Sequence, residues 1–544
     1  MTAAPDQLLA TARAWAEADA HAGDAAEILA LVESGDVAEL GRRFAGPLTF
    51  GTAGLRGPLR AGPAGMNAAV VTRAAAGLGA WLSGSGSAGG GIVIGFDARR
   101  RSDEFARISA AVLSAAGFAV QVMPRALPTP VLSFAVRHLG CVAGIMVTAS
   151  HNPPDDNGYK VYLGDGAQLV PPADREIEAA IAAVGAPRDV QLSDDWVTLG
   201  DDVVDDYVAA VVAALEPTRV ASRGELVVAY TAMHGVGAET TRAVFEAAGL
   251  ARPVSVPEQD EPDPTFRTVA FPNPEEPGAT DLLKALAPRV GADVAIAEDP
   301  DADRCAVVCG GRQLTGDEVG ALLADWLLRR GVRGTYASSL VSGSLMHVVA
   351  AAHGAPSAET PTGFKWIMRA GSPEAPLVYG YEEALGYSVA PSVARDKDGI
   401  SAALAVALLA AELKASGRTL LDRLDELARE HGLFVTGQLS VRVEDLTLIS
   451  DAMARLRSAP PATLLGRPVA FADLAEQTPS VDAVRLLGDG VRVIVRPSGT
   501  EPKLKAYLES VVPVHDDAGL IAARGRGEDE LDQLRAEMSA ALGL

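Results

Sequence analysis

One serine stands in a stretch whose residue types could carry phosphoryl transfer. The stretch from Gly144 to Tyr162 reads GIMVTASHNPPDDNGYKVY: an apolar strand leads to Ser150, and two prolines keep the next residues out of helix. Asn157-Gly158 then predicts a turn back into a second strand. A hydroxyl held at such a tip could accept and return a phosphoryl group, with His151 and Lys160 supplying proton transfer and charge.

The tripeptide Ser-His-Asn on its own is also compatible with an ordinary polar turn. The stretch is not the G-x-S-x-G elbow of α/β-hydrolases, because Ala149 precedes the serine and His151 follows it. The strand, the prolines and the return strand together are far more specific than the tripeptide. They favour a functional loop.

Three aspartates follow another apolar strand, ADVAIA. Asp299, Asp301 and Asp303 occupy alternate positions, and carboxylates so spaced on an extended segment point to one side. Three convergent oxygen donors suit Mg²⁺. An EF-hand does not fit, because its sixth position is Arg304 and its twelfth is Gly310. The alternative is a solvated acidic turn.

Two loops combine an arginine with glycines or hydroxyls, as phosphate binding requires. GTAGLRG at 51–57 offers backbone donors and Arg56, although a glycine turn with a surface arginine has the same composition. RPSGTEPK at 496–503 offers a fork-shaped cation and hydroxyls, and its alternative is a type II turn. The candidate phosphate-binding residues of this second loop are Arg496, Ser498, Gly499 and Thr500.

Paired carboxylates stand between glycines in GYEEALGY at 380–387. Glu382 and Glu383 could accept hydrogen bonds from sugar hydroxyls. The same residues could instead begin a capped helix. The residues of this loop alone leave both alternatives open.

Two glycine patterns resemble a dinucleotide fingerprint. The pattern at 84–89 precedes its strand instead of following it, so we discard it. The pattern Gly235-x-Gly237-x-x-Thr240 follows a strand and opens a helix, with Glu258 near the next strand. Its third glycine is missing. An NAD-dependent oxidoreductase is therefore kept only as a remote alternative.

A repeated plan of strand, polar loop and helix must position these loops. It begins at Gly91, at Glu225 and at Gly334, which predicts three α/β domains with largely parallel sheets. Ligand loops in such sheets follow the strands. After about residue 440 the pattern changes to strands around a polar loop and a closing helix, EDELDQLRAEMSAAL, which predicts a smaller α+β domain.

The 544 residues include 47 Lys and Arg against 70 Asp and Glu, a formal net charge of −23. This field repels nucleic acid and anionic membranes, so neither is expected as a partner, and an anionic substrate needs a locally basic pocket. Three cysteines are too few for a disulfide framework and favour a reducing compartment. The N-terminus lacks the pattern of a secretory signal. We expect a cytoplasmic protein.

The motifs TASHNPPDDNGYKVY, DPDADR, GYEEALGY and RPSGTEPK, in this order, resemble the α-D-phosphohexomutase superfamily of phosphoglucomutases and phosphomannomutases. The resemblance extends from about Gly51 to Tyr507. GTAGLRG, TGFKWI and ARDKDG further resemble the branch of phosphopentomutase-like and bacterial phosphoglucomutase enzymes. The resemblance implies three similar α/β domains plus a smaller C-terminal α+β domain around a central cleft. The divisions are a helical extension at 1–45 and domains at 46–200, 201–311, 312–435 and 436–544.

The resemblance also implies roles for individual residues. Ser150 corresponds to the phosphoserine, and Asp299, Asp301 and Asp303 correspond to Mg²⁺ ligands, with a phosphoserine oxygen as a further ligand. Glu382 and Glu383 fall in the sugar-binding loop, and the Arg496 loop grips the non-reacting phosphate. The basic positions lining the cleft are Arg56, His151, Lys160, Arg304, Lys365 and Lys397.

The implied reaction interconverts hexose 1-phosphate and hexose 6-phosphate through a sugar 1,6-bisphosphate, which also acts as activator. Glucose is the expected hexose, with mannose and the pentoses ribose and deoxyribose as alternatives. Many hexomutases carry a serine after the glutamate pair, and here that position is Ala384. Losing a polar contact weakens discrimination between sugars, so the motif does not fix the sugar. The only partner implied is a small phosphosugar, and the chain is expected to be a monomer or homodimer.

Overall fold

The computed structural model describes residues 5–51, 54–216, 220, 223–443, 447–477, 480–498 and 503–543. Two compact units emerge: Met1–Gln313 with Leu385–Ala415, and Leu314–Ala384 with Ser416–Leu544. Among the described residues, no helix is both long enough and apolar enough to cross a membrane.

The first unit begins with three helices, as the sequence predicts for this region. They bury a small core of their own around Ala12, Ile28 and Leu40. Asp24 is 3% exposed and accepts a hydrogen bond from the backbone N–H of Ala68 at 3.0 Å, which attaches these helices to the next helix. The helices are α1 (Pro5–Ala18), α2 (Ala22–Ser34) and α3 (Val37–Arg43).

The first sheet has six strands in the order β1-β5-β4-β2-β3-β6. Its centre is parallel, as predicted, because β2 pairs in parallel with β3 and β4. Antiparallel β5 and β1 extend one edge. The strands are β1 (Leu55–Pro58), β2 (Gly91–Phe96), β3 (Ala119–Val122), β4 (Ala143–Val147), β5 (Asp156–Leu163) and β6 (Val197–Thr198). The helices are α4 (Ala68–Gly84), α5 (Ser102–Ala115), α6 (Thr129–His138) and α7 (Ala173–Ala183).

A second sheet in this unit has the order β11-β10-β9-β7-β8. Strands β7, β8 and β9 are parallel, and β10 and β11 return antiparallel. The strands are β7 (Val228–Thr231), β8 (Val254–Ser255), β9 (Val294–Glu298), β10 (Cys305–Cys309) and β11 (Arg312–Gln313). The remaining elements of the unit are α8 (Asp202–Leu215), α9 (Gly237–Ala247), α10 (Asp281–Val290), β15 (Gly386–Ser388) and α14 (Gly399–Lys414).

In the second unit, β12 pairs in parallel with β13 and β14, so the third repeat again builds parallel pairs. The last sheet, β16-β21-β20-β19-β18-β17, is antiparallel, and α16 and α17 cover its apolar face around Leu456, Leu486 and Leu534. The strands are β12 (Thr335–Ser339), β13 (Ser357–Thr360), β14 (Leu377–Glu382), β16 (Leu433–Arg442), β17 (Thr463–Leu464), β18 (Arg467–Asp473), β19 (Val484–Gly488), β20 (Val491–Pro497) and β21 (Lys503–Val512). The helices are α11 (Gly316–Arg329), α12 (Leu345–Ala352), α13 (Phe364–Ile367), α15 (Leu420–His431), α16 (Thr447–Ser458) and α17 (Asp517–Leu542).

A buried ion pair joins α11 to α15 and predicts a measurable loss of stability. Arg423 donates from Nε and Nη2 to both carboxylate oxygens of Asp325, each at 2.9 Å. Arg423→Ala is expected to lower the free energy of unfolding by about 3 kcal/mol, because Arg329 is then the one charged partner that the described residues leave to the buried Asp325. The exposed pair Arg429–Asp517 is the control, and its removal is expected to cost under about 1 kcal/mol. Urea unfolding of the full chain measures both values.

The Arg423–Asp325 pair also predicts how the stability of the fold depends on pH. Burial opposes ionisation of Asp325, but the hydrogen bonds from Arg423 and the charge of Arg329 outweigh it and lower the pKa of this carboxyl. A depressed folded pKa contributes stability above the unfolded value, about 4 for aspartate, and this contribution disappears as the pH falls through the folded pKa. The stability difference between wild type and Arg423→Ala should therefore shrink below about pH 4. An equal or larger difference at lower pH would contradict this role.

Candidate active site

Ser150 follows the fully buried strand β4 and is held in an unusual backbone conformation. Its φ is +53°, in the left-handed region that residues other than glycine rarely adopt. Its N–H donates to the Thr148 hydroxyl at 2.8 Å, and only 3% of the residue is exposed. Such a conformation is kept only where the surroundings hold it, and it often marks a functional position.

The chain reversal after the Ser150 loop does not lie where the sequence predicts it. Asn157 and Gly158 do not form a turn, because both lie within β5, and the reversal takes place before Asp156. Gly158 serves close approach instead, since a Cβ there would lie 2.5 Å from the Thr148 carbonyl oxygen. Strand β5 then places Lys160 opposite Met146 of β4.

The three aspartates converge, but not by way of an extended segment. The residues after β9 form a turn in which Ala302 has a φ of +54°. Asp299, Asp301 and Asp303 are fully buried, and one carboxylate oxygen of each lies within 4.8 Å of the others. The predicted cluster is present, and the predicted extended geometry is wrong.

The cluster offers oxygens that fit a divalent cation. Oδ1 of Asp301 and Oδ1 of Asp303 are buried and accept no hydrogen bond from any described residue. A buried carboxylate oxygen without a partner is costly in free energy, and a hard cation such as Mg²⁺ would satisfy both oxygens. The residues therefore fit the metal that the family resemblance implies.

Two lysines compensate part of this negative charge. Lys160 Nζ lies 2.7 Å from Asp301 Oδ2 and 2.9 Å from Asp303 Oδ2, and Lys397 Nζ lies 3.2 Å from Asp303 Oδ2. Burial disfavours the charge of Lys160, but the two carboxylates outweigh it and raise the pKa of Lys160. Lys160 is therefore a fixed cation at neutral pH.

The serine loop and the aspartate loop meet at one atom. Ser150 Oγ donates to Asp299 Oδ2 at 2.8 Å and lies 3.2 Å from His151 Nδ1. Burial together with the nearby charges of Arg304 and Arg56 lowers the pKa of His151 well below its ordinary value, so this imidazole is neutral. Ser150 Oγ thus lies between a carboxylate of the cluster and a neutral histidine.

Two predicted arginines lie beside these loops. Arg56 donates from Nη1 to the Asn152 side chain at 3.0 Å, and the backbone N–H of Arg304 donates to Asp299 Oδ1 at 3.0 Å. Gly54, directly before β1, allows the chain to approach β5 closely, because a Cβ there would lie 1.8 Å from the Tyr159 carbonyl oxygen. Thr52 and Ala53 of the same motif lie outside the described residues.

The glutamate pair of the second unit ends a strand and does not begin a helix. Glu382 is the last residue of β14, and its Oε1 accepts from the N–H of Gly363 at 2.8 Å. Oε2 of Glu383 accepts from the hydroxyls of Ser339 and Ser342 at 3.1 and 3.2 Å. The helix-start alternative for this loop is therefore wrong.

Arg496 lies near the end of β20 and belongs to the same compact unit as Glu382 and Glu383. Burial and the charge of Glu383 raise the pKa of Tyr507, and the nearby charge of Arg496 opposes this shift. Lys365 lies in the short helix α13 and is 5% exposed. Ser498 donates its N–H to the Lys503 carbonyl at 2.8 Å, which begins the loop. Gly499 and Thr500 lie outside the described residues.

The glycines of the dinucleotide-like pattern have a packing role. A Cβ on Gly235 would lie 2.3 Å from Pro300 Cα, and one on Gly237 would lie 2.2 Å from Glu298 Oε2. Both glycines therefore let the Gly235 loop pack against the aspartate turn. This close contact explains the pattern without a dinucleotide.

Thr129 and Asp396 contact the site, and neither was predicted from the sequence. Thr129 donates its hydroxyl to Asp301 Oδ2 at 2.6 Å, and its sequence context, the start of α6, gives no sign of this contact. Asp396 accepts from the Tyr162 hydroxyl at 2.6 Å and lies 3.5 Å from Lys397 Nζ. Asp396 directly precedes Lys397 in the motif ARDKDG, and this position next to a predicted site residue was the signal that could have identified it.

Comparison with known proteins gives the family directly. Four family models match in sequence order. The first three are the phosphoglucomutase/phosphomannomutase alpha/beta/alpha domains I, II and III, at residues 47–188, 205–312 and 315–430. The fourth is the C-terminal domain of that family, at residues 440–518.

Individual relatives agree with this match. A protein of Haemophilus influenzae named a probable phosphomannomutase is 44% identical, over 87% of this chain and 96% of its own. A phosphopentomutase of Mus musculus is 33% identical, over 92% and 89%. A crystal structure from Thermus thermophilus, provisionally named a phosphomannomutase, is 27% identical over 90% and 99%, with a TM-score of 0.69.

The chain belongs to the phosphoglucomutase/phosphomannomutase family. The predicted fold class, three α/β domains and a C-terminal α+β domain, is confirmed by these matches together with the four sheets. The prediction of an isomerase of the phosphosugar-mutase type is likewise confirmed.

Proposed function

We propose that this enzyme transfers phosphoryl groups through Ser150. Phospho-Ser150 gives its phosphoryl group to the free hydroxyl of a sugar monophosphate, and the P–O bond to Ser150 breaks as the bond to the sugar oxygen forms. The resulting 1,6-bisphosphate reorients, and its other phosphate returns to Ser150. The observation that carries the proposal is the 2.8 Å contact between Ser150 Oγ and Asp299, made by a serine whose backbone is in the left-handed region.

Asp299, Asp301 and Asp303 are proposed to hold Mg²⁺ together with an oxygen of the phosphorylated serine. The Oδ1 atoms of Asp301 and Asp303, which accept no hydrogen bond from the described residues, support this assignment. When bound, Mg²⁺ neutralises charge on the phosphoryl group, which is the main requirement of phosphoryl transfer. A sugar 1,6-bisphosphate is proposed as activator, because it can phosphorylate Ser150 before the first turnover.

The contacts of His151 and Lys160, the two acid/base candidates, support different roles for them. His151 Nδ1 lies 3.2 Å from Ser150 Oγ and can exchange a proton with it. Lys160 is engaged by two carboxylates and supplies positive charge beside them. We assign proton exchange at Ser150 to His151, and charge stabilisation to Lys160, with Arg56, Arg304 and Lys397 as further cations.

Lys365, Glu382, Glu383, Arg496, Ser498, Gly499 and Thr500 are proposed to bind substrate. Arg496 is the residue assigned to the non-reacting phosphate. Arg496→Ala should raise KM by at least about tenfold with a smaller change in kcat, because a charged, fork-shaped donor to phosphate is lost. Arg524→Ala, which removes an exposed arginine of α17, is the control. Steady-state kinetics with an unchanged KM in Arg496→Ala would refute this role.

The proposed substrate is a hexose phosphate, with glucose first and mannose second. The name of the matching family, phosphoglucomutase/phosphomannomutase, supports a hexose. Because one relative is named a phosphopentomutase, the pentose phosphates of ribose and deoxyribose are the alternative substrate class. Ala384 in place of the serine of many hexomutases is compatible with either class.

Phosphorus NMR distinguishes these sugars. Enzyme with Mg²⁺ and a trace of glucose 1,6-bisphosphate is given glucose, mannose or ribose 1-phosphate in parallel, with Ser150→Ala as control. The proposal expects conversion of a hexose phosphate that stops in Ser150→Ala. Conversion of ribose 1-phosphate alone would contradict a hexose phosphate as substrate and identify a pentose phosphate instead.

We also propose that the chain acts in the cytoplasm as a monomer or homodimer, without nucleic acid or membrane partners. The net charge of −23 supports the absence of nucleic acid and membrane partners, because it repels anionic polymers and surfaces. The domain divisions near residues 45, 200, 311 and 435 remain part of the same proposal.

A further inference from the structure

One buried arginine holds the loop that carries Ser150. Arg99 lies between β2 and α5, and 1% of its side chain is exposed. Its Nη2 donates to the carbonyl oxygens of Ser150 and Asn152, at 2.6 Å each. Its Nη1 donates to the carbonyl oxygens of Pro153 and Asp156, at 2.8 and 3.2 Å. A single guanidinium thus binds four carbonyls from the Ser150 loop and the start of its return strand.

The guanidinium itself is fixed on its other sides. Nε of Arg99 lies 3.4 Å from Asp97 Oδ2, and both side chains are 1% exposed. Cζ lies 4.9 Å from the centre of the Phe266 ring, which is also buried. A planar cation with a carboxylate at one edge and a ring at its face has little rotational freedom.

The backbone that carries Arg99 is also held. Asp97 accepts from the Ser102 hydroxyl at 2.6 Å and from the N–H of Arg99 at 3.0 Å. Two residues further on, Arg101 donates to both carboxylate oxygens of Asp24 in α2, at 2.8 and 3.0 Å. Helix α2 therefore contacts the same turn that carries Arg99.

This arrangement matters because the serine backbone is strained. A left-handed serine needs surroundings that hold it, and the Ser150 carbonyl is held by Arg99. The position of Ser150 Oγ relative to Asp299 follows from that backbone. We propose that Arg99 is a positioning residue for phosphoryl transfer at Ser150, an inference that rests on the proposed function.

Arg99→Lys tests this proposal because lysine keeps the charge beside Asp97 but cannot reach four carbonyls with one ammonium group. We expect kcat to fall by about 10- to 100-fold, the cost of a small displacement of reacting groups, while KM changes less than about threefold. The rate at which glucose 1,6-bisphosphate phosphorylates Ser150, followed by intact mass, should fall by the same factor. Hydrogen exchange of the amides at 149–156 should become faster.

Arg100→Lys is the matched control. Arg100 is the next residue, its side chain is half exposed, and it pairs with the exposed Asp155. Its kcat should stay within about twofold of wild type, as for most surface substitutions. The double variant Asp97→Asn with Arg99→Gln removes both buried charges together, so it should fold even if Arg99→Lys does not, and its kcat should also fall.

Each outcome distinguishes a positioning role from a role in folding alone or in substrate binding. A wild-type kcat in the folded Arg99 variants, or a raised KM with unchanged kcat, would overturn the positioning role. Unchanged exchange at 149–156 would also overturn it. If wild-type enzyme neither converts sugar phosphates nor phosphorylates Ser150, the proposed function fails first and the positioning role fails with it.

Discussion

Ser150→Ala should abolish turnover of sugar phosphates while leaving the protein folded. We expect kcat to fall by at least about 10³-fold, because the variant lacks the oxygen that accepts the phosphoryl group. The fold should persist, since the Ser150 hydroxyl contacts only Asp299 and His151 among the described side chains. A coupled assay measures turnover, and intact mass measures the phosphate carried by the enzyme.

The matched control is Ser83→Ala, which removes an exposed hydroxyl on α4. It should keep wild-type kcat and the same phosphate content as wild type. Ser150→Ala should show no phosphate after incubation with a sugar bisphosphate. Turnover in Ser150→Ala within about tenfold of wild type would contradict the nucleophile assignment, given the losses typical of nucleophile removal.

Asp301→Asn should have the second largest effect. The amide keeps the shape of the side chain but removes a negative ligand, so Mg²⁺ affinity and turnover should each fall by at least about 100-fold. Mg²⁺ binding has a readout that does not depend on activity. Because a metal that binds only the folded state raises the melting temperature, Mg²⁺ should stabilise wild type and not Asp301→Asn.

Asp103→Asn is the control for this substitution. Asp103 is an exposed carboxylate of α5 that pairs with Arg107 four residues on. It should retain both the Mg²⁺-dependent rise in melting temperature and the wild-type rate. A normal rate and a normal Mg²⁺ response in Asp301→Asn would remove the aspartate cluster from the metal assignment.

The order of strands, loops and helices could be predicted from the sequence because its signals are local. The apolar segments beginning near Gly91, Glu225 and Gly334 contain β2, β7 and β12, and the polar loops follow strands as parallel sheets require. Ser150 and the three aspartates could be found for the same reason. Each stands directly after an apolar strand, where side chains are presented at the edge of a sheet.

The geometry of the aspartate turn could not be predicted, because distant residues set it. Ala302 adopts a positive φ, and its carbonyl oxygen accepts from the N–H of Gly399, almost a hundred residues away. Gly399 itself must be glycine, since a Cβ would lie 2.4 Å from the Arg304 carbonyl oxygen. No pattern within DPDADR encodes this contact.

Long-range partners also explain the other differences from the prediction. Asn157-Gly158 has the composition of a turn, but Gly158 is required by the approach of the Thr148 carbonyl oxygen. Arg99 stands among three consecutive arginines, and nothing local distinguishes it from Arg100. Only the folded structure shows that Arg99 is buried against the serine loop and Arg100 is exposed.

A pulse and chase of label on the enzyme tests whether Ser150 carries the phosphoryl group during turnover. Enzyme is incubated with Mg²⁺ and glucose 1,6-bisphosphate labelled in its phosphates, separated from excess label, digested, and the labelled residue is located by mass spectrometry. We predict one labelled residue, Ser150, whose label moves to the sugar within one turnover when unlabelled glucose 1-phosphate is added. Label on another residue, or label on Ser150 that stays on the protein while sugar is converted, would contradict this prediction.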